Sequence, residues 1–361
     1  MINKRIWPAV LALCLTAALL CGCAAHSAQT AEETITVTDC AGRTVAVPKN
    51  PQSICCVCPF SGPIIVMCGY GDRVTTACNN MTRSNLLAMI CPGIADAAVV
   101  KNSGSVNGEA VLEYGTDLLF VNDGTYEAPE ERAKLDSLGV PYVVVGFDDL
   151  ESQLDAMLVI GRALGAEEKM QDYTDWCKSV YAEVQQTLSE TPDDPVDLYH
   201  AVNEAVRTDY AGSICDEWIT MTNVHDVSLG SDLTVEGGKA YTTLEQIYAW
   251  DPDVIICNEA GVDDYILTDE KWAGLRCVRE GSVYQIPVGI SRMGHPTSTE
   301  TPLALMWLAN LLYPEQFEID FVQTLKDYYL RFYDYEIDDE TAQAIIAADE
   351  MRTEKTTQKV E

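Results

Sequence analysis

Apolar residues recur with helical spacing through one long stretch near the middle of the chain, residues 166–188. The residues that follow one another at intervals of three or four are Met170, Tyr173, Cys177, Val180, Tyr181, Val184 and Leu188. Gly165 precedes the stretch and Pro192 and Pro195 follow it, so the pattern has clear ends. At about 1.5 Å per residue such a helix spans roughly 35 Å. We interpret residues 166–190 as a rigid helix between two lobes; a long helix packed within one domain is the alternative.

A repeated unit favours two lobes. The segments on either side of the long helix align at one constant offset, and the pairs of identical residues are Glu109 and Glu245, Asp117 and Asp253, and Asn122 and Asn258. Each copy has a short helix opened by polar residues, a turn that ends in Asp, an apolar strand and an Asn at the end of that strand. The repeat predicts one such unit in each lobe.

Strand and helix patterns alternate on both sides of the long helix, which predicts α/β lobes with largely parallel sheets. A β-hairpin over residues 34–37 and 44–47 precedes the first of these patterns. The predicted lobes cover residues 34–165 and residues 191–350. Residues 351–361 are polar, and we expect this tail to fray.

The start of the chain has the features of an export signal. Lys4 and Arg5 precede an apolar run over residues 7–20, which is too short for a comfortable membrane span. The sequence Leu-Cys-Gly-Cys that ends at Cys23 resembles the bacterial lipobox. We therefore predict a lipoprotein signal peptide over residues 1–22, lipidation of Cys23 and a flexible tether over residues 23–33; cleavage by an ordinary signal peptidase is the alternative. The expected location is the outer face of the cytoplasmic membrane, with a lipid anchor.

Net charge limits the kinds of partner that the chain can bind, and cysteine usage indicates the redox state of its compartment. A net charge of -33 argues against nucleic acid as a partner, although acidity also keeps a secreted protein soluble. Eleven cysteines follow Cys23, and an odd number cannot form a complete set of disulfides, so we infer a reducing exterior. Cys55 and Cys58 have a Cys-x-x-Cys spacing, but strand alternation sends them to opposite faces, which favours a structural role over zinc or redox chemistry.

Four further segments carry a resemblance to a known family. These are residues 36–48, 244–256, 281–287 and 305–315. In this order they resemble the substrate-binding lipoproteins of bacterial ABC importers for ferric siderophores, cobalamin and haem, also called class III periplasmic binding proteins. The resemblance covers nearly the whole chain after the signal.

The resemblance implies two Rossmann-like lobes joined by a single long helix, with the ligand held in the cleft between them. It also implies docking onto an ABC permease dimer, with its ATPase subunits, through one exposed glutamate per lobe, here Glu109 and Glu245. Two carboxylates on opposite lobes can each meet an arginine of a two-fold permease; the alternative is that both only favour helix starts. A monomeric binding protein with no enzymatic activity and no cofactor is expected. Its ligand would be an iron-siderophore or a related metal chelate, with haem or cobalamin as the alternative.

Candidate ligand residues lie in the loops after the predicted strands, because such loops line the cleft of α/β lobes. A metal chelate with anionic groups needs fixed donors and flat surfaces, and the candidates are Arg83, Tyr126, Arg207, Tyr210, Arg292 and His295. His295 could also ligate a haem iron directly. Against haem, no histidine follows the strand of the second repeat. We assign no catalytic residue and no metal site formed by the protein itself.

Two other classes of protein remain as alternatives. A tetrapyrrole chelatase would need a histidine beside carboxylates, and His295 with Glu300 is the pair available. The sequence contains neither a Gly-x-Ser-x-Gly nor a His-Glu-x-x-His motif. A surface sensor or adhesin would keep the cleft but would not need Glu109 and Glu245.

Overall fold

The computed structural model describes residues 33–101, 104–189, 195–236 and 239–353. The predicted signal peptide, Cys23 and the predicted tether up to residue 32 lie outside these residues, as do residues 354–361. The described residues from Ile35 onwards form one compact unit. Within the described ranges, no helix has both the length and the apolar character that a membrane span requires.

The strands are β1 (Thr34–Thr38), β2 (Thr44–Pro48), β3 (Ile54–Cys56), β4 (Val74–Cys78), β5 (Ala98–Lys101), β6 (Leu118–Asn122), β7 (Tyr142–Val145), β8 (Val196–Ala201), β9 (Arg207–Thr208), β10 (Val224–Asp226), β11 (Thr234–Glu236), β12 (Lys239–Tyr241), β13 (Val254–Cys257) and β14 (Val283–Gln285). The α-helices are α1 (Ser61–Met67), α2 (Asn85–Ile90), α3 (Gly108–Glu113), α4 (Asp123–Glu127), α5 (Pro129–Ser137), α6 (Leu150–Ala163), α7 (Glu167–Leu188), α8 (Ile214–Thr220), α9 (Leu244–Trp250), α10 (Val262–Thr268), α11 (Arg276–Glu280), α12 (Thr301–Leu312), α13 (Phe321–Tyr333) and α14 (Asp339–Ile346).

The first lobe is built on a parallel sheet with the strand order β5-β4-β3-β6-β7, as the alternating pattern predicts. The predicted hairpin is present as β1 and β2. Alternate residues of a strand pack on opposite faces of the sheet. Cys55 packs in a smaller hydrophobic cluster with Val111 and Leu135, whereas Cys58 belongs to the large central core. The two cysteines are therefore on opposite sides, as expected from the strand. All eleven cysteines that the structure describes are free thiols.

The second lobe is built on a parallel sheet with the order β10-β8-β13-β14. A small antiparallel sheet, β11-β12-β9, accompanies it. The sequence did not predict this small sheet, because residues 203–210 read as a loop. β9 pairs with β12 through Arg207 and Tyr241, so Arg207 projects from a strand.

The long helix α7 lies at the centre of the fold. Its buried residues are the seven of the predicted stripe together with Thr174. It packs against α6 and α12. Gly165, at a φ of +67°, permits the tight turn from α6 into α7. One continuous cluster of buried side chains joins both sheets to α6, α7, α12 and α13, so the helix is part of a core that the two lobes share.

The two copies of the repeat begin with the same cap. Asn107 accepts a hydrogen bond from the backbone N–H of Ala110 (3.2 Å) at the start of α3. Thr243 accepts one from Gln246 (3.2 Å) at the start of α9. Asn107 and Thr243 stand at the offset that relates Glu109 to Glu245.

The turn aspartates of the two copies also have the same role. Asp117 accepts a hydrogen bond from the backbone N–H of Ser53 (3.2 Å), just before β3. Asp253 accepts one from Asp197 (3.0 Å) in β8. In each lobe the aspartate of the repeat therefore anchors the start of the neighbouring strand, which supports the internal duplication.

Residues 351–353 pair with the first lobe, and the prediction that the tail frays from Met351 is wrong for them. Asn85 N donates to Met351 O (2.9 Å), and Thr353 N donates to Arg83 O (3.0 Å). Ser84 and Arg352 form an antiparallel bridge between these two contacts. The partners are remote in sequence and the segment has no strand pattern, so only the folded structure brings them together. We call residues 351–353 the C-terminal strap.

Side-chain capping sets the residue at which α13 begins. Asp320 accepts a hydrogen bond from Gln323 N (3.0 Å), so the helix starts at Phe321. The loop expected to carry Tyr126 differs from the sequence prediction, because residues 122–126 include most of the short helix α4.

Candidate ligand-binding site

The carboxyl ends of both parallel sheets border one open cavity of about 520 Å³. Its lining residues with polar or aromatic side chains include Phe60, Lys101, Asn122, Asp123, Phe147, Asp148, Arg207, Asp209, Tyr210 and Thr297. Parallel α/β sheets bind ligands at this edge, and the volume is typical of a small-molecule site. We refer to this space as the main cavity.

Lys101 is the cation that the first lobe contributes to the main cavity. It is the last residue of β5, and its Nζ donates hydrogen bonds to Asn122 Oδ1 (2.8 Å) and Thr125 Oγ1 (2.5 Å). Burial lowers the pKa of this ammonium group. Both partners are uncharged, so they orient Lys101 without neutralising it. Asn122, the asparagine of the first repeat, thus has a defined structural role.

The second lobe contributes two of the predicted candidates, Arg207 and Tyr210, to the same cavity. The Arg207 side chain is 16% exposed and lies 4.0 Å from the carboxylate of Glu204. Tyr210 is exposed and follows β9 by two residues. An arginine fork and an aromatic ring therefore face the main cavity from one short strand.

A smaller recess of about 60 Å³ adjoins the main cavity, since Pro59 and Thr297 line both spaces. Its basic lining groups are Arg292, His295 and Arg352. Asn80 and Ser84 of the first lobe line it as well. The first lobe, the second lobe and the C-terminal strap thus meet around this space, which we call the basic recess.

Arg292 is held by two partners from the second lobe. Its Nη1 donates to Asn203 Oδ1 (2.6 Å) and to the carboxylate of Glu259. Only 18% of the Arg292 side chain is exposed. Burial lowers the pKa of Arg292, Glu259 opposes this shift, and Arg207 adds to it. Two of the predicted arginines therefore repel each other across the site.

Arg352 differs from Arg292, since no carboxylate in the described part of the chain forms an ion pair with it. Burial, together with the charges of Arg292 and Arg83, lowers the pKa of Arg352 to about 10. Like charges at a partly buried site are unfavourable unless an opposite charge accompanies them. In a chain of net charge -33, the basic recess brings two guanidinium groups together, and Glu259 and Glu300 are the carboxylates near enough to oppose the shift of the Arg352 pKa.

His295 offers a hydrogen-bond donor to the recess. Thr297 N donates to His295 Nδ1 (3.2 Å), so Nδ1 carries a lone pair. Burial and the charges of Arg292 and Arg352 hold the pKa of His295 well below its usual range, so the ring is neutral. The remaining ring proton therefore sits on Nε2. In this arrangement His295 presents a hydrogen-bond donor to the recess.

A buried carboxylate shapes the loop that leads to His295. Glu300 accepts hydrogen bonds from the backbone N–H of Ile290 (3.0 Å) and of Ser291 (2.8 Å), and from the hydroxyl of Tyr329 (2.5 Å). Burial raises the pKa of Glu300. Because its oxygens are occupied inside the protein, Glu300 does not present a carboxylate beside His295. The pair that a chelatase would use is therefore not assembled.

Gly294 allows an indole ring to pack against the same loop. Its φ is +70°, a conformation that favours glycine. Trp218 Nε1 donates to Gly294 O (2.9 Å), and a Cβ at this position would lie 2.5 Å from the indole. A larger residue would thus displace the loop between Arg292 and His295.

Two candidate ligand residues are placed elsewhere. The Arg83 side chain donates to Thr353 O (2.5 and 3.0 Å) and so holds the C-terminal strap in place. Tyr126 lies on α4, outside the lining of both spaces. Its ring packs 6.3 Å from that of Tyr142, with the Arg43 guanidinium 5.1 Å above it. The loop prediction was wrong here, because the helix directs Tyr126 toward the first hairpin.

The two glutamates of the repeat lie away from the ligand-lining residues. Glu109 and Glu245 are exposed in the first turns of α3 and α9. Neither forms an ion pair with any residue that the structure describes.

Lys101, Lys239 and Arg352 are lining cations that the sequence did not nominate. Lys101 is the last residue of β5, so the rule that nominated the loops after strands could have found it. Arg352 follows α14 in a polar segment with no strand pattern, and no sequence signal marks it.

Two parallel α/β lobes joined by one long helix, with a cavity at the carboxyl ends of both sheets, define a two-lobed ligand-binding protein of the class III fold. A sequence profile described as periplasmic binding protein matches residues 72–288, more than half of the chain. The chain therefore belongs to the periplasmic binding protein family. These proteins are extracytoplasmic solute-binding components of ABC transporters, not enzymes.

Individual relatives agree with this assignment. The molybdate-binding protein MolA of Haemophilus influenzae is 25% identical over 268 residues, which are 68% of this chain and 74% of MolA. Its structure with bound molybdate has a TM-score of 0.72 at 20% identity, and the match covers 84% of this chain and 99% of MolA. A periplasmic solute binding protein of Veillonella parvula has a TM-score of 0.75 at 25% identity, and the match covers 87% of this chain and 97% of that protein.

Proposed function

We propose that this chain is the substrate-binding component of an ABC importer and that its cargo is a metal-containing anion. A negatively charged cargo is supported by the position of Arg352. This residue lines the recess beside Arg292 and forms no ion pair with a carboxylate among the described residues. Arginine forks bind oxyanions through paired N–H donors. The Nε2–H of His295 adds a neutral donor of the same kind. An anion in the basic recess would relieve the repulsion between the two guanidinium groups.

The sizes of the two spaces rank the candidate cargoes. The basic recess, at about 60 Å³, suits a small tetrahedral oxyanion. Molybdate, which the Haemophilus relative binds, belongs to this class, and we place it first. The main cavity, at about 520 Å³, suits a larger chelate. The iron-siderophore that the sequence predicts is therefore the second candidate, with one anionic group in the recess and the chelate in the main cavity. Haem and cobalamin have no matching observation.

We further propose that Glu109 and Glu245 dock the protein onto its permease. Both are exposed and lack ion pairs in the described ranges, and each occupies the same position in its copy of the repeat. Three residues after each glutamate, one helical turn on, lies an exposed apolar side chain, Leu112 (52%) or Tyr248 (37%). A carboxylate beside an apolar contact is a suitable pair for an arginine set in a hydrophobic surface.

The remaining parts of the proposal rest on the sequence. We retain a lipoprotein signal over residues 1–22, lipidation of Cys23, a tether over residues 23–33, and lobes over residues 34–165 and 191–350. We also retain a monomeric state.

Isothermal titration calorimetry tests the charge of the cargo. The purified chain would be titrated with molybdate, tungstate, sulfate, ferric catecholate and hydroxamate chelates, haem and cyanocobalamin. We expect binding of a small oxyanion or of an anionic ferric chelate. Arg352→Gln should weaken this binding at least about tenfold, because a hydrogen bond between charged groups contributes about 1.5–3 kcal/mol.

Arg331→Gln is the matched control. Arg331 is exposed and pairs with Asp172 (2.8 Å) on the surface, so this variant should bind the anion like the wild type. Binding of neutral ligands alone would overturn the proposal, and so would an Arg352→Gln variant with unchanged anion affinity.

A further inference from the structure

A second group of ligating side chains lies at the carboxyl end of the second sheet. His200 is the penultimate residue of β8, Asp209 follows β9, and Cys215 lies in the first turn of α8. His200 Nδ1 is 2.5 Å from Asp209 Oδ2. One nitrogen, one carboxylate oxygen and the Cys215 sulfur all lie within 4.8 Å of one another. All three residues are buried, with exposures of 0%, 4% and 1%.

The hydrogen bonding of this group is incomplete. His200 Nε2 has no partner among the residues that the structure describes, although the ring is fully buried. The carboxylate of the neighbouring Asp226, also buried, has one oxygen without a partner there. Asp209 and Asp226 interact as like charges. Buried polar groups are normally paired, and two buried carboxylates beside one histidine favour a cation.

We propose that His200, Asp209 and Cys215 form a site for a divalent transition metal of the zinc class. Nitrogen, oxygen and sulfur donors together are the set that zinc accepts, and three protein ligands leave a fourth position for water or an oxygen atom of the cargo. Asp209 also lines the main cavity, which gives the metal a route to the site. Metal binding itself does not depend on the identity of the cargo.

Binding requires a small rearrangement with a defined proton balance. The 2.5 Å spacing of His200 Nδ1 and Asp209 Oδ2 is that of a hydrogen bond, whereas two ligands of a tetrahedral zinc lie about 3.3 Å apart. The ring proton therefore moves from His200 Nδ1 to the unpartnered Nε2, so that the imidazole stays neutral and Nδ1 offers a lone pair to the metal as the two side chains separate. The Cys215 thiol loses its proton to solvent, and one proton is released for each metal ion bound.

Cobalt(II) is the probe, because it replaces zinc in such sites and absorbs visible light. The metal-free full chain, kept reduced, would be titrated with Co²⁺. We expect one equivalent to bind with intense tetrahedral d–d bands and a thiolate-to-cobalt charge-transfer band, both abolished by added Zn²⁺. Cys215→Ser should lose the charge-transfer band, and Asp209→Asn should weaken Co²⁺ binding at least tenfold.

Cys277→Ser is the matched control, since Cys277 is a buried cysteine of the same lobe on α11. It should keep both sets of bands. Circular dichroism of each metal-free variant separates loss of the site from loss of the fold. An absence of saturable Co²⁺ binding by the folded wild type overturns the proposal, as does an unchanged charge-transfer band in Cys215→Ser. Either result leaves the anion titration unaffected.

Discussion

The protonation state of His295 connects the basic recess to the stability of the protein. The amide of Thr297 fixes a lone pair on Nδ1, and the neighbouring arginines disfavour a second ring proton. The recess therefore keeps a neutral donor at pH values where a free histidine would take up charge. The same arrangement makes protonation of this residue costly to the folded chain.

We predict that His295 makes the protein less stable in acid. The unfolded chain takes up a proton near pH 6.5, while the folded chain, with its depressed His295 pKa, does not. The contribution of His295 to stability is thus complete above about pH 6.5 and is lost as the pH falls through the folded-state pKa, with a slope of at most about 1.4 kcal/mol per pH unit.

The comparison is with His295→Asn, whose side-chain oxygen can still accept the Thr297 amide. Urea unfolding of both proteins from about pH 7.5 to about pH 5 should show a steeper fall in the free energy of unfolding for the wild type. Equal slopes would contradict the prediction.

At the level of single residues, the sequence located some lining groups and not others. Arg207 and Arg292 could be nominated because they follow recognisable strands, and the carboxyl ends of such strands border the cleft. Tyr126 follows a strand too, but a short helix there redirects its ring. Arg352 reaches the recess only because the strap pairs with residues 83–85. That pairing is a tertiary contact without a local pattern.

The helix-and-strand unit occurs twice, and the contributions of its two copies to the free energy of unfolding can be compared. Asn107 and Thr243 each cap a short helix through one side-chain hydrogen bond of 3.2 Å. We predict that Asn107→Ala and Thr243→Ala each lower the free energy of unfolding by about 1 kcal/mol, the usual effect of removing such a cap. Urea unfolding of the two variants provides the measurement. A loss in one copy with none in the other would show that the units are not energetically equivalent.

Elements with a long or strongly alternating pattern were predictable, and short ones were not. The prediction of the stripe on α7 was correct because its seven apolar residues, from Met170 to Leu188, repeat over about five turns. The strands β9, β11 and β12 contain two or three residues each, too few to show a period. Their antiparallel pairing is set by neighbours, and it is this pairing that holds Arg207 in place.

The two lobes share one hydrophobic core, which limits how freely they can move. Side chains from both sheets belong to a single buried cluster with α7. Two contacts add to this link: Gln153 donates to Pro296 O (2.9 Å), and Leu150 N donates to Glu217 (2.9 Å). Such an arrangement would hold Glu109 and Glu245, the proposed docking residues, at a nearly fixed separation.

We predict that the double variant Glu109→Ala and Glu245→Ala keeps its affinity for cargo but loses uptake through the cognate permease. Removal of both carboxylates would leave the permease arginines unpaired while the binding site remains intact. Transport into cells or proteoliposomes, measured beside calorimetric binding, separates the two effects.

Glu113→Ala serves as the control for the docking variant. Glu113 is an exposed glutamate of α3 without a counterpart in the second copy, where Ala249 stands. Its loss should leave uptake unchanged. Unimpaired uptake in the double variant would rule out the docking assignment.

The buried thiols allow local opening of the protein to be measured by alkylation. Nine of the eleven described cysteines are buried, and Cys40 is exposed. Burial raises the pKa of Cys55, for example, to about 12, and only the thiolate reacts with alkylating reagents. Timed alkylation followed by mass spectrometry would therefore mark each sulfur at the moment its surroundings loosen. The native chain can report transient exposure strand by strand, with Cys40 as the reference for full access.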